Sequence, residues 1–171
     1  MSRYADQGAL QWVESGGGPL IAVPETVLPF WAGADSEEFA TDYDRACEVD
    51  GYAGLLPVGD SAALVLGDEP AATAYLPEQG VFVRWSAADS EDELLAHVPA
   101  ALGTAEWGPE IRWQVPGPVV LFDAARPGGR VERAGHLRVP LAPGPYAVAA
   151  AYAQPGPETW LGLVRVTRLG S

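Results

Sequence analysis

The chain has 171 residues, 48% of them apolar and 19% charged, the composition of one ordinary globular domain. Its net charge is −13, from 23 acids and ten arginines, with no lysine and no asparagine. Lysine chemistry is therefore excluded, whether Schiff base, Walker A or Ser–Lys dyad. One cysteine, Cys47, excludes an intramolecular disulfide, and with His97 and His136 it falls short of a four-ligand Cys/His zinc site. No apolar run approaches the roughly 18 residues that a membrane helix needs. The N-terminus carries no basic-then-apolar leader pattern, so the expected compartment is the cytoplasm.

The elements read as short strands, turns and a few helices. Segments 10–14 and 19–23 flank Gly16, Gly17 and Gly18, which suits a hairpin or sharp bend. Pro24 opens a short helix ending near Trp31, with Pro29 limiting its length and Gly33 closing it. A helix is expected over 36–48, with Asp35 and Glu38 as a capping box and Phe39, Tyr43 and Ala46/Cys47 as its buried stripe. That stripe makes Cys47 a buried small residue. Strands 55–58 and 63–66 flank a Gly59-Asp60 turn, and 73–76 and 81–85 form a second pair. Ser90 and Glu93 cap another helix, whose apolar stripe is Leu94, Leu95, Val98 and Leu102 and which Pro99 ends or kinks near Val98. From 106 onward the pattern is β, with strands at 111–115, 118–123, 136–141, 145–152 and 159–168. The expected class is α+β, one domain over 1–171: a short-helix N-terminal part with mixed strands packed on a mainly antiparallel β C-terminal part, with a lobe boundary near 105–110.

Charge is divided along the chain. Residues 1–110 carry 20 acids and three arginines, and residues 111–171 carry three acids and seven arginines. Such an N-terminal field repels nucleic acid and anionic membranes and attracts a basic partner. A partner surface is expected at Glu37, Asp44, Glu48 and Asp50 and at the knot of Asp89, Glu91 and Asp92. A solvated acidic face is the competing reading.

Catalytic patterns are sparse. The Gly16–Gly18 run has no Lys or Ser/Thr follow-up, and Pro19 removes an amide donor, so it reads as a turn rather than a phosphate loop. Ser61 lacks the glycines of a nucleophile elbow. His97 and His136 read as ordinary surface or edge residues. Asp68 and Glu69, before Pro70, are the best-placed carboxylates for a hydrolase or a metal-dependent enzyme, and they read equally as a structural strand exit. Six tryptophans can serve the core, a recognition surface or the aromatic pocket of a small-molecule-binding module.

WVESGGGPL at 12–20, Trp31-Ala32-Gly33, DYDRAC at 42–47 leading to Gly51-Tyr52, LVLGDEP at 64–70, RW at 84–85 and PGPVVLFDA at 116–124 resemble the immunity protein 21 family. The likeness spans most of the chain. The resemblance implies a small cytoplasmic protein that binds and neutralises a cognate toxin domain in a bacterial polymorphic toxin system. It implies no cofactor and no catalytic residues.

Overall fold

A computed structural model describes residues 10–35, 40–67, 70–133 and 135–170. Among the described residues, ten strands form two five-stranded antiparallel sheets. The strands are β1 (Leu20–Pro24), β2 (Gly54–Val58), β3 (Ser61–Leu66), β4 (Ala72–Leu76), β5 (Val81–Ala87), β6 (Ile111–Val115), β7 (Val119–Asp123), β8 (His136–Val139), β9 (Gly144–Gly156) and β10 (Thr159–Arg168). The first sheet runs β2-β3-β1-β7-β8 and the second β4-β5-β10-β9-β6. The α+β class holds, with strand dominant. Each sheet combines strands from before and after residues 105–110.

Alternation along the strands explains the layering. Leu20 and Ala22, Leu64 and Leu66, and Val119 and Leu121 face Phe82, Trp113, Val148 and Val164 of the second sheet in one central core. The intervening residues Ile21, Val23, Val65, Val120 and Phe122 are equally apolar and form a second core on the outer face of the first sheet. A 3-10 helix, Glu25–Phe30, and helix α1, Asp42–Cys47, cover that face. On the far side, Val81, Val83, Leu161 and Leu163 pack under α2 (Glu91–Ala96) and α3 (Val98–Thr104). The order is helix, sheet, sheet, helix. Strands buried on both faces read as continuous apolar runs, which is why LIAVP at 20–24 is buried throughout.

Several local expectations meet the structure closely. The Gly59-Asp60 turn joins β2 to β3 with Val58 opposite Ser61, and Gly59 adopts φ +58°. Ser90 accepts a hydrogen bond from the Glu93 amide at 3.1 Å. Pro99 lies in the first turn of α3, and the chain breaks at His97, between α2 and α3.

Others differ. Of residues 10–14, only Val13 pairs, with Thr73. Residues 36–39, including Glu37, Glu38 and Phe39, lie outside the described residues. The helix that follows begins at Asp42, and its own capping box is Thr41 with Asp44, whereas the expected Asp35–Glu38 box involves Glu38, outside the described residues. Asp35 pairs with Arg130. Cys47 is exposed, because the α1 face turned to the sheet carries Ala46. β9 runs on to Gly156, beyond its expected end at 152.

Trp31-Ala32-Gly33 locks the loop before α1 to the exit of β7. Trp31 is buried, and its indole donates to the Ala124 carbonyl at 3.0 Å. The Ala32 amide donates to Asp42 at 2.8 Å, and the Tyr43 amide donates to the Gly33 carbonyl at 3.1 Å. Gly33 has φ +63°, and a Cβ there would lie 2.6 Å from the Ala125 carbonyl oxygen. Gly33→Ala combines left-handed strain with a backbone clash, so a loss of at least about 2 kcal/mol is expected in denaturant unfolding.

Candidate functional site: an acidic and aromatic edge of the sandwich

The acids expected at a partner surface fall on two outer faces. Asp44, Glu48 and Asp50 belong to α1 and the loop after it, on the first sheet. Asp89, Glu91 and Asp92 belong to α2 and its entry, on the second. Glu37 lies outside the described residues, as do Asp68 and Glu69.

Within each group the side chains do different work. Asp44 accepts from the Thr41 amide at 3.0 Å, and the Thr41 hydroxyl accepts from the Asp44 amide at 3.0 Å. This reciprocal bond closes the N-terminus of α1. Asp42 accepts from the Ala32 amide and pairs with Arg45. Glu91 accepts from the Trp12 indole at 3.2 Å, which ties the N-terminal segment to α2. Glu48, Asp50, Asp89 and Asp92 are exposed. Glu48 is the C-cap of α1, where the helix dipole disfavours a carboxylate.

The six tryptophans divide in the same way. Trp31 and Trp113 are buried, with Trp113 donating to the Ala62 carbonyl at 2.8 Å. Trp12 and Trp85 meet edge to face at 5.3 Å, and the Arg165 guanidinium lies 4.1 Å from the Trp107 ring centroid. Trp160 is 38% exposed.

Trp160 belongs to a feature that no sequence period announces. In the second sheet Arg84, Gly162 and Tyr152 lie side by side in register across β5, β10 and β9. Arg84 lies two residues beyond Phe82 on the face turned toward the first sheet. A Cβ at 162 would sit 3.3 Å from Arg84 Cβ, so glycine leaves room for the arginine stem beside β10. The guanidinium is buried, and it donates to the Gly67 carbonyl at 2.9 Å and to Thr73 Oγ1 at 3.3 Å. It thereby ties β5 to the end of β3, across the two sheets. Beyond that tie the loop after α1 covers the sheet: Tyr52 stacks on Tyr152 at 5.9 Å and 9°, and Tyr152 meets Trp160 at 5.7 Å. Tyr52 is 39% exposed. On its other side lies a cleft of about 300 Å³, with Ile111, Val148 and Ala150 in its wall and Asp50 among its lining residues.

A second cleft, of about 220 Å³, lies between the Gly17-Gly18 turn and α1, lined by Tyr43, Cys47 and Gly67 among others. A hydrogen bond to Cys47, with burial adding to it, raises the Tyr43 phenol above its ordinary pKa. Among the described residues, no three His, Cys, Asp or Glu side chains gather as a metal-ligating group. His97 Nδ1 lies 2.9 Å from the Glu93 carbonyl, and His136 opens β8. No helix among the described residues is long and apolar enough to cross a membrane.

The roles of the acids can be separated by unfolding. Thr41→Ala and Asp44→Ala are each expected to cost about 0.5–1 kcal/mol through the lost cap. Glu48→Arg is expected to leave stability equal or slightly raised, because a cation suits that helix end. Equal losses for Asp44→Ala and Glu48→Arg in urea would contradict this division.

No curated protein and no solved structure matches the chain. The family model described as Immunity protein 21 matches residues 11–159, from the segment before β1 to the first residue of β10. The chain therefore belongs to the immunity protein 21 family.

Proposed function

We propose that the protein neutralises a cognate toxin domain by stoichiometric contact, in the cytoplasm of the producing cell and without turnover of its own. The family match over nearly the whole strand framework carries this reading. The pairing of strands from both halves within each sheet supports treating residues 1–171 as a single binding unit. The charge of −13 supports a basic partner, and it opposes binding to nucleic acid or an anionic membrane.

The candidates for partner contact are the acidic residues that are not committed to the fold. Asp44 and Glu91 hold structural hydrogen bonds, which leaves Glu48 and Asp50 on one side and Asp89 and Asp92 on the other. Glu48 and Asp50 are the stronger candidates, because Asp50 adjoins the exposed Tyr52. Charge around an apolar contact steers encounter and fixes orientation.

The test is titration calorimetry against the toxin domain encoded next to the gene, together with protection of cells expressing that toxin. A one-to-one complex is expected, weakening as salt is raised. Reversing Glu48 and Asp50 to Arg is expected to weaken binding on the order of tenfold, mainly through slower association, with an unchanged melting temperature. Reversing Asp89 and Asp92 is expected to change little. The absence of any complex with the wild-type protein would overturn the reading.

A further inference from the structure

We infer that the Tyr52–Tyr152–Trp160 ladder is the docking point for a cationic side chain, arginine or lysine, on an extended segment of the protein partner. The inference deepens the toxin-binding reading and rests on it. Three observations carry it. The rings make a continuous array, Tyr52 to Tyr152 to Trp160, at centroid spacings of 5.9 and 5.7 Å. At each end the array is open, with Tyr52 39% and Trp160 38% exposed. Carboxylates flank both ends in the chain, with Asp50 two residues before Tyr52 and Glu158 two residues before Trp160, both exposed.

Stacked aromatic faces present negative potential to a cation, and neighbouring carboxylates add to it. An arginine guanidinium can lie flat on such a ring while its donors reach a carboxylate. The adjoining cleft of about 300 Å³, with Ile111, Val148 and Ala150 in its wall, offers an apolar neighbour an adjacent seat. The chain already makes this kind of contact within itself, with Arg165 over Trp107 at 4.1 Å. A ladder of this kind costs solubility when left bare, and the net charge of −13 favours a basic occupant over a second copy of the same chain.

The experiment uses the intact protein, the toxin domain encoded beside the gene, and a hexa-arginine peptide. Trp160→Ala is expected to weaken the toxin complex about 30-fold, the scale of an interface hot spot, while Trp160→Phe retains most of the affinity. Tyr52→Ala, on a different element, is expected to act in the same direction, and melting curves of all three variants should follow the wild type. Hexa-arginine is expected to shift the Trp160 indole resonance and to leave the buried Trp31 and Trp113 resonances in place. Unchanged toxin affinity in both alanine variants, with the wild-type complex intact, would overturn the docking point and spare the toxin-binding reading. Loss of affinity in the variants without any response to hexa-arginine would overturn the cationic occupant in favour of an apolar one. Failure of the wild type to bind the toxin would overturn both.

Discussion

Everything in this fold depends on two sheets that are apolar on both faces. Leu20 and Ala22 of β1 enter the central core, while Ile21 and Val23 enter the core beneath the 3-10 helix and α1. A sheet with one wet face would need no cover. These sheets need it on both outer sides, and the short helices supply it. Those helices are too brief to stand alone, at six or seven residues each. They are held by Ala46, Leu94, Val98 and Ala101 against the strands, and by caps at Thr41 and Ser90. Asp44 and Asp92 on these helices are exposed as a consequence of that packing.

The sheets are not of equal length, and the difference creates the functional edge. β9 and β10 have 13 and 10 residues, whereas the first sheet is built from strands of four to six. Past Val164 and Ala150 the inner face of the second sheet loses its partner sheet. Arg84 fills the first open position and ties β5 back to Gly67. Tyr52, from the loop after α1, covers the next by stacking on Tyr152. The exposed rings are thus where a sandwich core continues without its second layer. A protein that works by contact can use such a place, because apolar area is already assembled on rigid strands.

Acidity and specificity are separate properties here. The total charge gives a field that favours basic partners at a distance. At contact range the acids are unequal: Asp44 closes a helix, Glu91 holds Trp12, and Asp42 holds Ala32, so these carboxylates are spent on the fold. Glu48 and Asp50 are exposed, and Asp50 adjoins the aromatic edge.

Much of this was legible in the sequence. The hairpin at Gly59-Asp60, the strands from 111 onward, the Ser90 cap and the break before Pro99 follow from local chemistry: turn residues, alternation and capping act within a few positions of one another. The family could also be read from the chain, because its motifs are local strings such as Trp31-Ala32-Gly33 and DYDRAC at 42–47. Tertiary structure decided what depends on distant partners. The ion pair of Asp35 with Arg130, far along the chain, follows from no local pattern. Cys47 looked buried until Ala46 was seen to hold the inward face. Tyr52, Tyr152 and Trp160 share no period, and Arg84 meets Gly162 only through strand register. A sequence states each residue's own preferences, but a surface made by unequal strand lengths exists only once the sheets are stacked.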